Sequence, residues 1–536
     1  MTATVGNADV VIVGAGSVGC VLAERLSRDP RRSVILLEAG PRDSNPLVHI
    51  PKGFGKLLGN DRLAWHYPVE VSPGGLSEQW VRGRTLGGSS SVNGMIYNRG
   101  FESDYRDAEA LAGHLWDWDG ILEAFREIEN HELGGSKLRG SGGPLSVSMT
   151  PMVDSLRRDF VAAAAHNGLR ATDDTNDAED PRVGPATRTI SGGRRMSSAR
   201  AFLKSALGRP NLKVITRARA IDLVWHGERV TGVRIRRGRS AQAIIARRRV
   251  ILSAGGLETP LLLERSGIGD RDLLDEHSIT VRADQPSVGE GMQEHRCFSL
   301  QFRLKASEGD NPLLSTVPRQ ALSFGRYALS RTGPLATGAY DVIGYADTTG
   351  GAGRVDGQLL MAPFSALPYE PGEKLGVERE PGMQIIGYVL RPESRGSIHI
   401  TSTDPDSAPV IVPNFLEAQR DRDVTAELFK MARRIAASEP LADHISHESR
   451  PGADVQSDME IIEAAKAKGY CGYHAAGTAR MGLDSDAVVG PDLAVRGVEC
   501  LSVLDASVLP TMLSGNLNGP LMAAAWAAAP LLEEGI

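Results

Sequence analysis

Residues 14–19, GAGSVG, have the types and spacing that bind a dinucleotide pyrophosphate. A short apolar run rich in β-branched residues precedes them, a helical pattern follows, and Glu38 closes the next apolar run. Gly14 permits a tight turn, Gly16 lets the backbone approach the phosphates, and Gly19 lets helix and strand pack closely. The helix start supplies free N–H groups and partial positive charge, and Glu38 can accept hydrogen bonds from a ribose.

This glycine pattern predicts a dinucleotide without naming its redox group, because NAD and FAD sites share it. The alternative is a glycine-rich turn that holds no ligand. The strand, the helix and the acidic residue all stand where a binding site needs them, which favours the dinucleotide.

A second residue that could carry chemistry is His474, in a glycine-rich segment near the far end of the chain. Imidazole titrates near neutral pH and can accept a proton as hydride leaves a carbon. Most of the other histidines are interpreted as structural side chains with satisfied hydrogen bonds. His444 and His447 have i, i+3 spacing without a third ligand pattern, so no metal site is predicted. Cys471 has no supporting triad and is expected to pack.

Residues 83–95, GRTLGGSSSVNGM, combine small residues and amides that could line a large flat ligand. The segment resembles the first signature of the glucose-methanol-choline oxidoreductase family. Residues 255–269 resemble the second signature, with Gly256 where other small residues are usual. Further matches follow in the family's order at residues 391–398, 473–482, 505–507 and 515–520.

The resemblance implies that FAD oxidises a primary or secondary alcohol to the carbonyl, by hydride transfer to flavin N5. It assigns His474 as the base, and Asn518 matches a second active-site position that holds histidine or asparagine. The Asn518 amide could hold the substrate oxygen, and a turn-capping amide is the alternative. Asp505 is expected to contact the flavin's ribityl or pyrophosphate part through its backbone. The expected cofactor contacts are Gly14, Gly16, Ser17, Gly19, Glu38, Ala39, Trp65, Arg84, Gly87, Gly88, Ser89, Asn93, Gly94, Met95, Ala220, Ala254, Tyr473, Asp505, Ala506, Asn516 and Pro520.

Val92 stands where some relatives tether FAD through a histidine, so the resemblance implies a non-covalent flavin. The electron acceptor is expected to be oxygen or a quinone-like carrier. The alcohol is expected to be selected by residues 296–412 and 46–68, in which no motif names it.

Three other functions compete with alcohol oxidation. The family includes hydroxynitrile lyases, which keep FAD without net redox chemistry. A flavin-containing protein with degraded chemistry is disfavoured by the presence of both His474 and Asn518. A nicotinamide-dependent dehydrogenase would leave the matches after Arg84 unexplained.

A chain of 536 residues is longer than the length that a single hydrophobic core supports, so two domains are predicted. The resemblance implies an α/β fold in which a Rossmann-like FAD-binding domain is interleaved with a sheet-containing substrate-binding domain. The first is expected at residues 1–155, 206–295 and 474–536, and the second at residues 156–205 and 296–473.

The local patterns predict strands, helices and loops in sequence order. Strand-like runs at residues 212–254 predict a meander added to the nucleotide domain. Residues 41–100 are expected to be rich in loops, and residues 296–412 to be mostly alternating strands. Helices are predicted near residues 17–28, 118–130, 153–167, 259–266, 418–438, 459–468 and 521–532.

Composition narrows the partners and the location. A net charge of −6 with scattered basic residues disfavours nucleic acid. Four widely spaced cysteines without a CxxC pair suit a reducing compartment. No secretory signal and no apolar run long enough to span a bilayer is evident. These features predict a cytoplasmic protein whose partners are a small alcohol and a redox acceptor.

Overall fold

The computed structural model describes residues 3–71, 76–238, 240–351, 353–367 and 376–534. Within these residues the chain forms two large mixed sheets and a set of surrounding helices. The predicted α/β fold is confirmed. No helix in the described ranges is long and apolar enough to cross a membrane.

The first sheet joins a parallel part to an antiparallel meander. Its strands follow, in spatial order, Leu212–Ile215, Val34–Leu37, Ala3–Val13, Ser240–Leu252, Arg229–Arg237 and Arg219–His226, with Leu501–Val503 beside Ser240–Leu252. Val10, Val11 and Ile12 are fully buried, because helices cover both faces of a parallel sheet. The predicted meander belongs to this sheet, since Ser240–Leu252 pairs in parallel with Ala3–Val13.

The second sheet supplies a buried wall opposite the first. Its strands follow, in spatial order, Ile445–Arg450, Arg296–Leu304, Gly382–Val389, Gly357–Ala362, Val342–Ala346, Arg182–Pro185 and Arg170–Ala171, with Tyr470–Cys471 beside Arg296–Leu304. Helix Gln419–Ala437 packs on strand Gly382–Val389 and buries it. Strand Arg182–Pro185 precedes most of the first sheet in sequence but belongs to the second. The interleaved domain division stays a prediction from the sequence.

Short strand pairs and helices complete the fold. The pairs and small sheets are Ala64–Glu70 with Ser77–Gly83; Glu129–His131, Leu145–Met149 and Thr187–Arg188; Ile190–Ser191 with Arg194–Arg195; Ile268–Gly269 with Ala283–Asp284; and Ser397–His399 with Val410–Val412. The α-helices are Ser17–Leu26, Pro46–His49, Phe54–Leu57, Glu102–Ala112, Trp118–Ile128, Ser155–His166, Lys204–Ala206, Gly255–Arg265, Arg271–Glu276, Asn311–Leu314, Val317–Ser330, Gln419–Ala437, Asp458–Lys468 and Asn518–Glu534.

The long helices lie within a few residues of their predicted bounds, but two stretches contain elements that were not predicted from the sequence. The stretch expected to be loop-rich contains the hairpin Ala64–Glu70 and Ser77–Gly83. The stretch expected to be mostly strands contains helix Val317–Ser330, whose large apolar residues face outward. Its apolar residues recur at helical spacing, so the sequence did contain a signal for this helix.

Two glycines of the first motif have the predicted structural roles. Gly14 has a φ of +101°, which only glycine adopts readily. A Cβ on Gly19 would lie 1.9 Å from the carbonyl oxygen of Gly14. Helix Ser17–Leu26 therefore packs against the preceding turn at a distance that excludes any side chain.

Gly19→Ala should lower the free energy of unfolding by at least about 2 kcal/mol, because backbone atoms must move to admit the methyl group. Urea unfolding measures the change. Gly208→Ala is the matched control, since a Cβ there meets nothing within 4 Å. Equal stability of the two variants would contradict the packing argument.

Candidate active site

A large cavity lies between the two sheets. On one side it is lined by Val13, Leu37 and Ser253, at the carboxyl ends of the parallel strands. On the other side the second sheet contributes Leu360 and Tyr388. Ligands of open α/β sheets bind at the carboxyl ends of the strands, so the cavity is in the expected place.

The two glycine-rich segments predicted to bind the cofactor lie against each other. The N–H of Gly87 donates to the carbonyl of Ala15 at 2.7 Å. A Cβ on Gly88 would lie 2.7 Å from the Cα of Gly16. Both Gly87 and Gly88 have positive φ angles, 88° and 52°. Segments 14–19 and 83–95 thus form one continuous part of the cavity wall.

The first turn of helix Ser17–Leu26 is suited to an anion. No side chain caps this helix start, whereas side chains cap Trp118–Ile128, Ser155–His166 and Arg271–Glu276. Ser17 lines the cavity at this point, and nearby Ser253 Oγ is buried with no hydrogen-bond partner in the described structure. Free N–H groups and an unpaired hydroxyl fit the diphosphate of FAD.

Glu38 and Trp65 line another part of the cavity wall. The Glu38 carboxyl accepts from the N–H of Ala15 at 3.2 Å and of Gly40 at 2.7 Å. Burial raises the pKa of Glu38 to about 7, against the lowering effect of these bonds. The guanidinium carbons of Arg84 and Arg219 lie 4.1 and 4.5 Å from the ring centre of Trp65. A flat base and its ribose fit this part of the wall.

Most residues predicted to hold the cofactor line the cavity. These are Gly14, Gly16, Ser17, Glu38, Ala39, Trp65, Gly88, Ser89, Asn93, Gly94, Met95, Ala220, Ala254, Tyr473, Asp505, Ala506 and Asn516. His474 and Asn518 line it as well. The others lie behind the lining or beside it: Gly19, Arg84, Gly87 and Pro520.

The Asp505 side chain accepts hydrogen bonds from other groups of the protein. One carboxylate oxygen accepts from the N–H of Gly255 at 2.8 Å and from the hydroxyl of Thr259 at 2.6 Å. The other accepts from the N–H of Ser507. Asp505 thereby caps helix Gly255–Arg265, which explains why that helix begins before its predicted start. The predicted cofactor contact through the Asp505 backbone is compatible with this arrangement.

His474 is fixed by its backbone. Its N–H donates to both carboxylate oxygens of Glu294, at 2.7 and 2.8 Å. Glu294 also accepts from the N–H of His295 and pairs with Arg82 at 3.2 Å. The preceding residue, Tyr473, has a φ of +65°, a strained conformation that the surrounding bonds must hold. Burial raises the pKa of Glu294 to about 7, with Arg82 opposing the shift.

The imidazole of His474 is held at both ring nitrogens. Its Nδ1 lies 2.8 Å from Nδ1 of His295, and its Nε2 lies 3.0 Å from the amide nitrogen of Asn516. His295 is fully buried, and its Nε2 lies 2.9 Å from the carbonyl oxygen of Leu390. Burial lowers the pKa of His295 to about 4 and holds the pKa of His474 well below its usual value. Both rings are neutral at neutral pH.

The bond to Leu390 fixes the proton positions in this pair. A carbonyl can only accept, so Nε2 of His295 carries the hydrogen and its Nδ1 is an acceptor. Nδ1 of His474 must then be the donor between the rings, which leaves a lone pair on its Nε2. The amide nitrogen of Asn516 donates to that lone pair.

The hydrogen bond of the Asn518 side chain is to Ser17, whereas a direct partner of His474 would be bonded to the imidazole. Its amide oxygen accepts from the hydroxyl of Ser17 at 2.7 Å. The side chain in contact with His474 is Asn516, which the sequence placed among the cofactor contacts. Both asparagines line the cavity.

The sequence analysis missed Glu294, His295 and Arg195. Arg195 is fully buried and donates to Asn93 Oδ1 at 2.6 Å. An acid directly followed by a histidine, in a glycine-containing segment at 289–295, was a signal that could have found the first two. Arg195 has no comparable sequence signal, because only the fold brings it to residues 90–93.

Comparison with known proteins identifies the family of this chain. The models for the N- and C-terminal parts of the GMC oxidoreductases match residues 8–297 and 392–525. The chain belongs to the GMC oxidoreductase family. The resemblance seen in the sequence motifs is confirmed, and this GMC oxidoreductase is an enzyme of the class that the motifs predicted.

Relatives match this GMC oxidoreductase over almost its whole length. An alcohol dehydrogenase (acceptor) of Pseudomonas putida is 36% identical, over 98% of this chain and 95% of that protein. The mitochondrial choline dehydrogenase of Homo sapiens is 37% identical, over 98% of this chain and 89% of that protein. An Aspergillus oryzae formate oxidase studied for modification of its FAD superimposes with a TM-score of 0.89 at 25% identity, covering 99% and 98% of the chains.

Acid should destabilise this GMC oxidoreductase partly through His295. Its folded pKa is lowered from 6.5 to about 4, so the unfolded chain binds the extra proton between these values. The stability that neutral His295 contributes is full above pH 6.5 and falls as the pH decreases toward 4.

Between pH 7.5 and pH 5, the wild type should lose about 2 kcal/mol more unfolding free energy than His295→Gln. Glutamine can still accept from His474 and donate to Leu390, but it does not titrate. Urea unfolding at both pH values measures the difference. An identical pH dependence in both proteins would contradict the assignment of a neutral, buried His295.

Proposed function

We propose that this chain oxidises an uncharged primary or secondary alcohol to the corresponding carbonyl compound, with FAD bound in the cavity. FAD, when bound, supplies the acceptor for the hydride. The observation that carries the proposal is the lone pair on Nε2 of His474, held in the cavity wall by the bonds to His295 and Leu390. A neutral imidazole with this orientation can accept the hydroxyl proton of an alcohol.

His295 acts on this step as a positioning residue. As His474 takes the proton on Nε2, it becomes an imidazolium whose Nδ1 hydrogen still points at Nδ1 of His295. Glu294 accepts from the backbone N–H of His474, which keeps the ring in position for this transfer. The step therefore needs no rotation of the ring.

The two asparagines are suited to hold the substrate oxygen. The Asn516 amide donates to Nε2 of His474 at 3.0 Å, so an alcohol hydroxyl that donates to this lone pair takes the place of the amide, which can then donate to the alcohol oxygen. The amide oxygen of Asn518 accepts a hydrogen bond from the Ser17 hydroxyl. The N–H groups of the same amide can therefore act as donors to the substrate oxygen. We propose Asn518 as the second active-site residue and Asn516 as its neighbour on the substrate oxygen.

We propose that the flavin is bound without a covalent link. Val92 occupies the position at which a tethering histidine would stand, and it lines the cavity as a buried aliphatic side chain. A valine has no atom that can form such a bond.

The second sheet gives the substrate end of the cavity an apolar and aromatic wall. Cys297, Tyr340, Leu360, Ile386 and Tyr388 line it. None of these side chains is charged at neutral pH, and burial raises the pKa of the Tyr388 hydroxyl far above its usual value. A wall of this kind favours an alcohol with an aromatic or aliphatic body and penalises a cation that finds no carboxylate.

His474→Ala should slow anaerobic flavin reduction by an alcohol about 10²- to 10⁴-fold, since it removes the base. Stopped-flow bleaching of the flavin measures the rate. Acid precipitation, which releases a non-covalent flavin, gives the FAD content of each protein. His114→Ala, at an exposed histidine, is the control. If His474→Ala with a full complement of FAD were reduced at the wild-type rate, the assignment of His474 as the base would be refuted. If no alcohol reduced the flavin of the wild type, a lyase would be favoured.

The wall predicts a preference among alcohols. Benzyl alcohol and medium-chain aliphatic alcohols should reduce the flavin with a kcat/KM at least about 100-fold above that of choline, which carries a fixed charge. An alcohol panel under anaerobic conditions measures the ratio. A higher kcat/KM for choline would contradict the proposed substrate class while leaving alcohol oxidation intact.

A further inference from the structure

Helix Val317–Ser330 presents its large apolar residues to solvent. Val317, Leu322 and Leu329 are 79%, 79% and 92% exposed, and Phe324 is 53% exposed. Leu313, in the short helix that precedes it, is 45% exposed. We call these five side chains the exposed helix face. Apolar side chains grouped in this way on one helix mark an interaction surface.

The opposite side of this helix is anchored by polar contacts. Gln320 donates to the carbonyl of Leu314 at 2.7 Å, and the Ser323 hydroxyl donates to the carbonyl of Leu313 at 3.0 Å. The buried Tyr327 donates to the carbonyl of Gly193 at 2.9 Å. The helix is thus fixed to the protein without using its apolar residues, which stay available for another surface.

Every charged side chain in residues 311–340, which contain the exposed helix face, is an arginine. Residues 311–340 include Arg319, Arg326 and Arg331 and contain no aspartate, glutamate or lysine. None of the three arginines lies in an ion pair within the part of the chain that the structure describes. The adjacent Asp310 is paired with Lys52. A local charge of three positive groups contrasts with the chain's net charge of −6.

The chain connects the exposed helix face to the cavity. The chain continues from the helix through the turn Pro334–Ala336, which packs against the turn Pro51–Gly53. The residues that follow each turn, Tyr340 and Phe54, line the cavity. The segment that follows the helix therefore reaches the cavity wall.

We propose that the exposed helix face docks on the surface of an anionic phospholipid bilayer. The apolar side chains enter the boundary of the acyl chains, and the arginines contact lipid phosphates. A standard protein interface takes roughly 20–30 residues on each side, whereas this face offers five apolar side chains on a convex element. A bilayer requires no matching shape, so it fits this face better than a second copy of the chain does.

Flotation of the FAD-loaded full chain with lipid vesicles tests the proposal. Vesicles of phosphatidylglycerol mixed with phosphatidylcholine should bind the protein at least about tenfold more tightly than phosphatidylcholine alone. Added salt should weaken this binding, because it screens the arginines. The assay does not depend on turnover, so its result is independent of the proposed reaction.

Paired variants separate the two parts of the surface. Leu322→Ser with Leu329→Ser should weaken binding to the anionic vesicles at least about tenfold. Arg319→Gln with Arg326→Gln should remove the preference for anionic lipid. The matched control, Met459→Ser with Leu483→Ser, replaces residues that are 75% and 58% exposed elsewhere and should bind like the wild type. Flavin absorbance and the melting temperature check that each variant is folded.

Three results would overturn the proposal. One is a wild type that does not float with anionic vesicles, and another is equal binding to both kinds of vesicle. The third combines two observations. Light scattering shows a wild-type dimer that Leu322→Ser with Leu329→Ser converts to a monomer, and neither protein binds vesicles. That result would assign the exposed helix face to an interface between copies of this chain.

Discussion

The hydrogen bond from His295 to the carbonyl of Leu390 is the constraint on which the chemistry of the site depends. It sets the tautomer of one buried ring, and that ring sets the tautomer of His474. His295 is fully buried and His474 is partly buried in the cavity wall, and burial disfavours a charge on either ring in the resting protein. A carbonyl on a strand edge thereby determines which nitrogen of a distant histidine can act as a base.

This arrangement requires both sheets to be in place. Leu390 follows strand Gly382–Val389 of the second sheet, and His295 directly precedes strand Arg296–Leu304 of the same sheet. The cofactor end of the cavity is built instead on the first sheet, from the segments at 14–19 and 83–95. The close contact of Gly88 with Gly16 holds those two segments together. The chemistry proposed here lies where the two sheets face each other.

The two sheets supply different kinds of surface to the cavity. The first sheet brings Glu38 and the uncapped helix start to the polar parts of a dinucleotide. The second sheet brings uncharged side chains to the space beside His474. A further apolar surface, the exposed face of helix Val317–Ser330, lies outside the cavity lining.

The sequence by itself determined the nucleotide-binding unit and the family, because those depend on local spacing: a strand, three glycines and a helix within one short segment. It also singled out His474. Only the tertiary structure decided what surrounds that ring, since Glu294 and His295 are about 180 residues distant in the chain and Leu390 is on another strand. Helix Val317–Ser330 was missed although its apolar residues recur at helical spacing, and only the tertiary structure decided that this apolar face lies toward solvent.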